Sequence, residues 1–315
     1  MDSLIYSLNA TLPVFLVIVV GYVLKQIGIL NDGFVKTANK FNFVVTLPVL
    51  LFVDLSTTDI IGDFDIKYVL YCALVTTVAF FGLWIAAKFL IKDKKIVGEF
   101  VQAGYRSSAA ILGVAFIQNI YGDSGMAPVM IIGCVPLFNI FAVLVLTFEG
   151  EKVGDGKGNI INSLINIVKN PIIIGIVLGV AASLLKIDFP EIIDKTLASL
   201  AKMASPLALI TIGAGFEGRK AIAKIKPTIA ATMIKLVVLP AVFLPIAIKL
   251  GFRDQALVAL IIMLGSPTTP SSYIMAKNMG HEGVLTSSVV VATTLMSSLC
   301  LTFWIFVARY FGYII

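Results

Sequence analysis

A chain of 315 residues, 59% of them apolar and 13% charged against about 25% charged in an average soluble domain, has too little polar surface to cover a globule in water. Its mean hydropathy of +1.01 makes lipid the natural solvent, and at about 30 residues per span and loop the length allows about ten membrane helices and no separate soluble domain. The net charge of +6 sits in short basic clusters between apolar runs, which points to orientation in a membrane and away from nucleic acid.

The apolar run from Leu4 to Leu24 follows Met1-Asp2-Ser3, which lacks the basic region of a secretory leader, so it reads as the first span. In chain order the spans are expected near 4–25, 39–56, 66–91, 98–121, 125–148, 165–187, 192–216, 227–250, 254–277 and 284–309. Alternate loops then hold fifteen Lys and Arg on one side and seven on the other, which places both termini outside the cytoplasm. Asp54, Asp59, Asp63 and Asp65 read as a solvated acidic turn of an outer loop rather than a calcium site. Cys72, Cys134 and Cys300 lie inside apolar runs and His281 is the only histidine, so no disulfide framework, metal site or cofactor is expected.

An offset of 158 residues superimposes backbone-determining residues of the two halves without a gap. Pro13 falls on Pro171, Gly21 on Gly179, Pro48 on Pro206, and Gly122 and Gly125 on Gly280 and Gly283. The most polar and glycine-rich stretch lies between the halves. The expected organisation is therefore a first five-helix repeat over 1–150, a cytoplasmic linker over 151–162, and a second repeat over 163–315. Five is odd, so the second repeat enters the membrane inverted, an arrangement that in secondary transporters puts a binding site near the bilayer midplane.

Within the fourth span, Gly104-Tyr105-Arg106-Ser107-Ser108 interrupts the apolar pattern. Arg106 is the one arginine inside a span, about 12 Å from its inner end at 1.5 Å per residue. A guanidinium there costs at least about 2.5 kcal/mol on insertion scales, so a partner is needed, and a substrate carboxylate suits its planar fork. Asn139 follows Pro136 in the fifth span and is a candidate cavity amide. Pro48 and Pro206 are expected to break spans 2 and 7 as hinges. Lys235 in span 8 either reaches the inner interface or places its ammonium in the site. Span 9 carries the strongest break, Ser266-Pro267-Thr268-Thr269-Pro270-Ser271-Ser272. Its hydroxyls and freed amides, with Ser107 and Ser108 in the repeat mate, are the expected substrate contacts.

On these residues the chain resembles the auxin efflux carrier family of membrane transporters in its short prokaryotic form. Leu12-Pro13-Val14-Phe15 with Gly21-Tyr22 is similar to the family's first span, and Asn39-Lys40-Phe41 with Leu47-Pro48-Val49-Leu50-Leu51-Phe52 to its second. Ser205-Pro206-Leu207-Ala208-Leu209, Lys235-Leu236-Val237-Val238-Leu239-Pro240 and Pro267-Thr268-Thr269 resemble spans 7, 8 and 9. The resemblance implies ten helices in two inverted repeats, with broken helices 4 and 9 crossing at the binding site. It also implies organic anions as substrates, auxin-like monocarboxylates or malate- and malonate-like dicarboxylates. Where the family often has Asn in the span-4 crossover and Pro a few residues later, this chain has Ser108 and Ala115.

An ATP-driven pump is disfavoured, since Gly154-Asp155-Gly156-Lys157 is followed by Gly158 and forms no phosphate-binding loop. No histidine or acidic group is expected deep in a span, which disfavours catalysis and a proton relay. The expected partners are a small organic anion and the lipid bilayer of the cell membrane, with a homodimer left open. An anion channel or membrane-bound receptor is the alternative to a carrier.

Overall fold

The structure is a computed structural model that describes residues 2–57, 65–109, 117, 120–121, 125–150 and 165–314. Asp59, Asp63, Gly122, the stretch 110–115 and the linker 151–162 lie outside the described residues. Every regular element among the described residues is a helix. In chain order these are α1 (Asp2–Gln26), α2 (Asp32–Phe41) continued through a wide π-turn at Asn42–Thr46 into α3 (Leu47–Ser56), α4 (Ile66–Leu90), α5 (Val97–Tyr105) and α6 (Ala127–Phe148). The second half holds α7 (Pro171–Leu184), α8 (Glu191–Ala214), α9 (Gly218–Ala223) and α10 (Ile225–Met233), which passes through a π-turn at Ile234–Val238 into α11 (Leu239–Lys249). It ends with α12 (Asp254–Gly265), α13 (Ser271–Asn278) and α14 (Val284–Tyr310).

Six of these helical stretches are long and apolar enough to cross a membrane: 32–56, 66–90, 127–148, 191–214, 225–249 and 284–310. Shorter apolar helices run over 11–26, 171–184 and 254–265. On α4 the outward positions Ile66, Leu70, Leu74, Val78, Phe81, Ile85 and Phe89 recur every three or four residues and are exposed, while Tyr68, Cys72, Val75 and Ala79 face inward and are buried. A helix apolar on all sides, with large side chains on its outer face, is matched to lipid rather than water.

The offset of 158 carries helix onto helix. Ile66–Leu90 moves to 224–248, against 225–249 for α10 and α11 with their π-turn; Val97–Tyr105 moves to 255–263, within α12; Ala127–Phe148 moves to 285–306, within α14. The close contacts obey it too. A Cβ on Gly21 would lie 2.3 Å from the carbonyl oxygen of Ile210, and one on Gly179 would lie 2.9 Å from that of Phe52, two contacts that the offset exchanges. They hold α1 against α8 and α3 against α7, and these four helices with α2 pack as one group. The other group is centred on α4, α5, α6, α10 to α13 and α14, with α14 also touching α1.

Small residues allow backbones to approach closely where lipid offers no hydrophobic drive between helices. Gly213 is the tightest case, since a Cβ there would sit within 1.9 Å of the Ile18 carbonyl oxygen. Gly213→Ala is expected to lower stability by about 1–3 kcal/mol through overpacking. Gly82→Ala, on a helix face with nothing within 4 Å, is expected to raise it by about 0.5–1 kcal/mol. Unfolding midpoints of the two variants in detergent check both signs.

The hinge prolines differ from one another. Pro48 is the second residue after the π-turn, so a break does precede it, but Pro206 lies inside the uninterrupted α8. The expected break of span 7 at Pro206 is therefore corrected: one missing amide donor is tolerated where α8 packs closely on both sides. The three cysteines are free thiols.

Candidate functional site

Two helix ends meet in the interior. Helix α5 stops at Tyr105, where Arg106 turns extended with φ −80° and ψ 135°. Helix α12 stops at Gly265, where Ser266 turns extended with φ −72° and ψ 159°, and Pro267 and Pro270 keep the chain out of helix until Ser271. The two breaks pair directly, the Ser108 amide donating to the Pro267 carbonyl at 2.9 Å.

A buried helix end must satisfy its last carbonyls elsewhere. Each break does this for the other. The Thr268 hydroxyl donates to the Ala103 carbonyl of α5 at 2.7 Å, and the Ser107 hydroxyl donates to the Met263 carbonyl of α12. Lys235, fully buried in the π-turn between α10 and α11, donates its Nζ to the next carbonyl of α12, that of Leu264. Gln102 donates from Nε2 to the Ser272 carbonyl at 2.7 Å, and the Thr268 amide donates to the Thr293 hydroxyl at 3.0 Å.

Arg106 leaves α5 at this junction and is buried. Its Nη2 donates to Oδ1 of Asn139 on α6 at 2.5 Å, and its Nη1 lies against the Ser272 hydroxyl and the Met275 sulfur of α13. Among the described residues no carboxylate lies within 4 Å of the guanidinium, and its Nε has no hydrogen-bond partner. The carboxylate of Asp54 borders the same cavity as Arg106 without coming within 4 Å of the guanidinium.

This cavity, of about 60 Å³, has room for a few waters. Arg106, Ser107, Ser108, Asn139, Thr269 and Ser271 line it, six of the ten expected substrate contacts. Ser266, Pro267, Thr268 and Lys235 stand behind this wall and build the junction. Lys235 does not reach the inner interface: from the π-turn its Nζ points inward onto Leu264. The far wall comes from the other helix group, with Leu51, Asp54, Ile172 and Ser205.

Asp54 is a correction. It belongs to α3, one turn beyond Leu50, and borders the same cavity as Arg106 instead of lying in a solvated outer turn. Glu99 is buried in α5 and accepts from the Gly283 amide, the Thr286 amide and the Thr286 hydroxyl, each at 2.9 Å. Glu99 is the second residue of the expected fourth span, near its end and not deep within it, and its carboxylate caps the N-terminal end of α14. Both it and Gln102 were legible as a polar stripe, since Glu99, Gln102 and Arg106 are spaced three and four apart on one helical face.

A larger cavity, about 630 Å³, lies at the ends of α1, α8 and α13 among Lys25, Lys36, Lys40 and Lys277, with Asn39 and Tyr273 on its wall. Tyr273 and Lys277 share α13 with Ser271, so one short helix runs from the basic vestibule to the junction. Asp32, paired to Lys25 at 2.5 Å, and Glu217 also line this mouth, which leaves two lysines in excess, and a net positive concave mouth raises the local concentration of anions.

Paired helix breaks, a buried guanidinium with no carboxylate within 4 Å among the described residues and a lipid-matched exterior define a membrane protein with an internal polar cavity. The chain belongs to the membrane transport protein family of auxin efflux carrier type, whose family model matches residues 6–305. It is 24% identical to an uncharacterized transporter of Methanothermobacter thermautotrophicus, over 95% of this chain and 97% of that one. The uncharacterized transporter YfdV of Escherichia coli is 22% identical over 97% and 99%. A Rhizobium meliloti protein named "Putative malonate transporter" is 24% identical over 95% and 94%.

Proposed function

We propose that the chain is a secondary carrier that moves a small organic anion across the cell membrane by alternating access. The observation that carries this reading is the buried Arg106, which has no carboxylate partner among the described residues and borders a cavity between two helix groups. A monocarboxylate or a malonate-like dicarboxylate supplies that partner, with Ser107, Ser108, Asn139, Thr269 and Ser271 as further contacts. The Rhizobium relative's name supports the dicarboxylate class.

The architecture in this reading is ten spans in two inverted five-helix repeats joined by 151–162, with both termini outside the cytoplasm. The helix-onto-helix match at 158 and the exchanged glycine contacts support it. The group holding α1, α3, α7 and α8 moves against the group holding the crossing. That motion widens a cavity now too small for an organic acid, and it alternates access to the two sides. Pro48 beside its π-turn is the hinge on the first group, and Pro206 a packing point.

Purified chain reconstituted in liposomes is expected to show saturable uptake of a radiolabelled carboxylate that accelerates when the same anion is preloaded. Unitary currents without such counterflow would replace the carrier by an anion channel.

A further inference from the structure

Half-helix C-terminal ends at membrane depth are where transporters place a coupling cation, because unsatisfied carbonyls and the negative end of the helix dipole converge there. Helix α12 has such an end at Gly265. Its Ile262 carbonyl accepts from the Ser266 amide at 2.9 Å and its Met263 carbonyl from the Ser107 hydroxyl, but its Leu264 carbonyl accepts from the side chain of a lysine, Lys235 Nζ. Lys235 is fully buried, and among the described residues no carboxylate lies within 4 Å of it. Two residues past Leu264, the buried Ser266 hydroxyl has no hydrogen-bond partner among the described residues. Lys235 lies in the π-turn Ile234–Val238, which precedes Pro240 as the turn Asn42–Thr46 precedes Pro48.

We propose that Lys235 is a tethered cation: its ammonium occupies the place a free monovalent cation would take at the broken end of α12, so the crossing holds its shape without sodium or potassium. The neutral alternative is a lysine buried only to fill space, but an apolar side chain would fill it without the cost of desolvating a charge. Removing the ammonium leaves the Leu264 carbonyl at the end of α12 facing a vacated volume with no donor or charge, where a small cation finds an oxygen ligand and the negative end of the helix dipole. Lys235 is in this sense a positioning residue for the anion site, since Ser107 and Lys235 hold adjacent carbonyls of the same helix end. The inference rests on reading the crossing as the working site of a carrier.

The test measures unfolding midpoints of the full chain in detergent, in the chlorides of choline, sodium, potassium and methylammonium at equal ionic strength, with no organic acid added. The native chain is expected to melt at the same temperature in all four salts. Lys235→Ala is expected to melt lower in choline and to regain at least half of the loss, in a saturable way, in sodium or methylammonium, as binding to the folded state requires. Lys235→Met, which fills the volume without a charge, is expected to show no such recovery. A Lys235→Ala midpoint that is the same in every salt, or a native chain stabilised by sodium over choline, overturns the proposal. If Lys235→Ala cannot be purified in choline, recovery of monodisperse protein in sodium or methylammonium supports it, and no recovery in any salt overturns it. Because no organic anion enters the measurement, failure here is distinct from failure of the carrier reading, which shows as absent uptake by the native chain.

Discussion

Arg106→Gln is expected to weaken binding of the transported anion by about ten- to a hundredfold, the equivalent of about 1.5 to 3 kcal/mol for one charge-assisted contact. The side chain is 3% exposed, commits one terminal nitrogen to Asn139 and leaves Nε without a partner among the described residues. Gln retains a donor for Asn139 but neither the charge nor the fork. Arg106→Lys retains the charge alone, and its affinity is expected to fall between native and Gln. The anion-free midpoint should move the other way. A buried guanidinium with no carboxylate within 4 Å among the described residues is a cost to the empty protein, so Arg106→Gln is expected to melt at or above the native temperature while losing its response to carboxylates. A structural arginine would do the reverse, and a lower midpoint with unchanged affinity in thermal titrations would remove Arg106 from the site.

Much of this site is legible in the sequence because membranes punish irregularity. Proline at 267 and 270 within an apolar run, and arginine at 106 within another, have few explanations at bilayer depth other than a broken helix and a buried polar cluster. The offset of 158 is legible for the same reason, since Gly and Pro mark where backbones approach or part. What the pattern does not convey is direction. Hydroxyls at 107, 266 and 268 look alike in sequence, yet Ser107 both caps α12 and borders the cavity, Thr268 caps α5, and Ser266 does neither. For Lys235 the sequence leaves the direction of a flexible stem open, and the contact of its Nζ with the Leu264 carbonyl settles it as inward. Asp54 was misplaced because it ends an apolar run beside three further aspartates, and hydropathy alone cannot say whether a terminal carboxylate belongs to the helix or the loop.

Buried charges in this chain therefore divide by what they face. Arg106 borders the cavity, with a neutral amide as its closest partner; Lys235 faces one carbonyl at a helix end; Glu99 faces three donors and is fully matched. The first arrangement suits a group that must exchange one partner for another during a cycle. The last suits a group that must never let go. Mutations at the two are expected to separate stability from binding, in opposite senses.

Glu99→Ala is expected to cost about 3 to 5 kcal/mol of stability, the largest effect of any single substitution argued for this protein. The carboxylate is 1% exposed and satisfies two amides and a hydroxyl at the start of α14. The residue at the cap position, Gly283, has φ 72° and no side chain of its own, so the first turn of this 27-residue helix depends on a cap supplied by α5. Alanine leaves those donors buried and unmatched at the positive end of the helix dipole. Glu99→Gln keeps one acceptor oxygen but turns an amide NH2 toward backbone N–H groups, so its loss is expected to be smaller, about 1 to 3 kcal/mol. Thr286→Val removes one of the three donors together with its need for a partner, and a loss of about 1 kcal/mol is expected. The order native, Thr286→Val, Glu99→Gln, Glu99→Ala in unfolding midpoints, unchanged by added carboxylates, checks the assignment. A Glu99→Gln chain as stable as native would show that the charge is not what holds α14, and that the hydrogen bonds alone tie the two helices together.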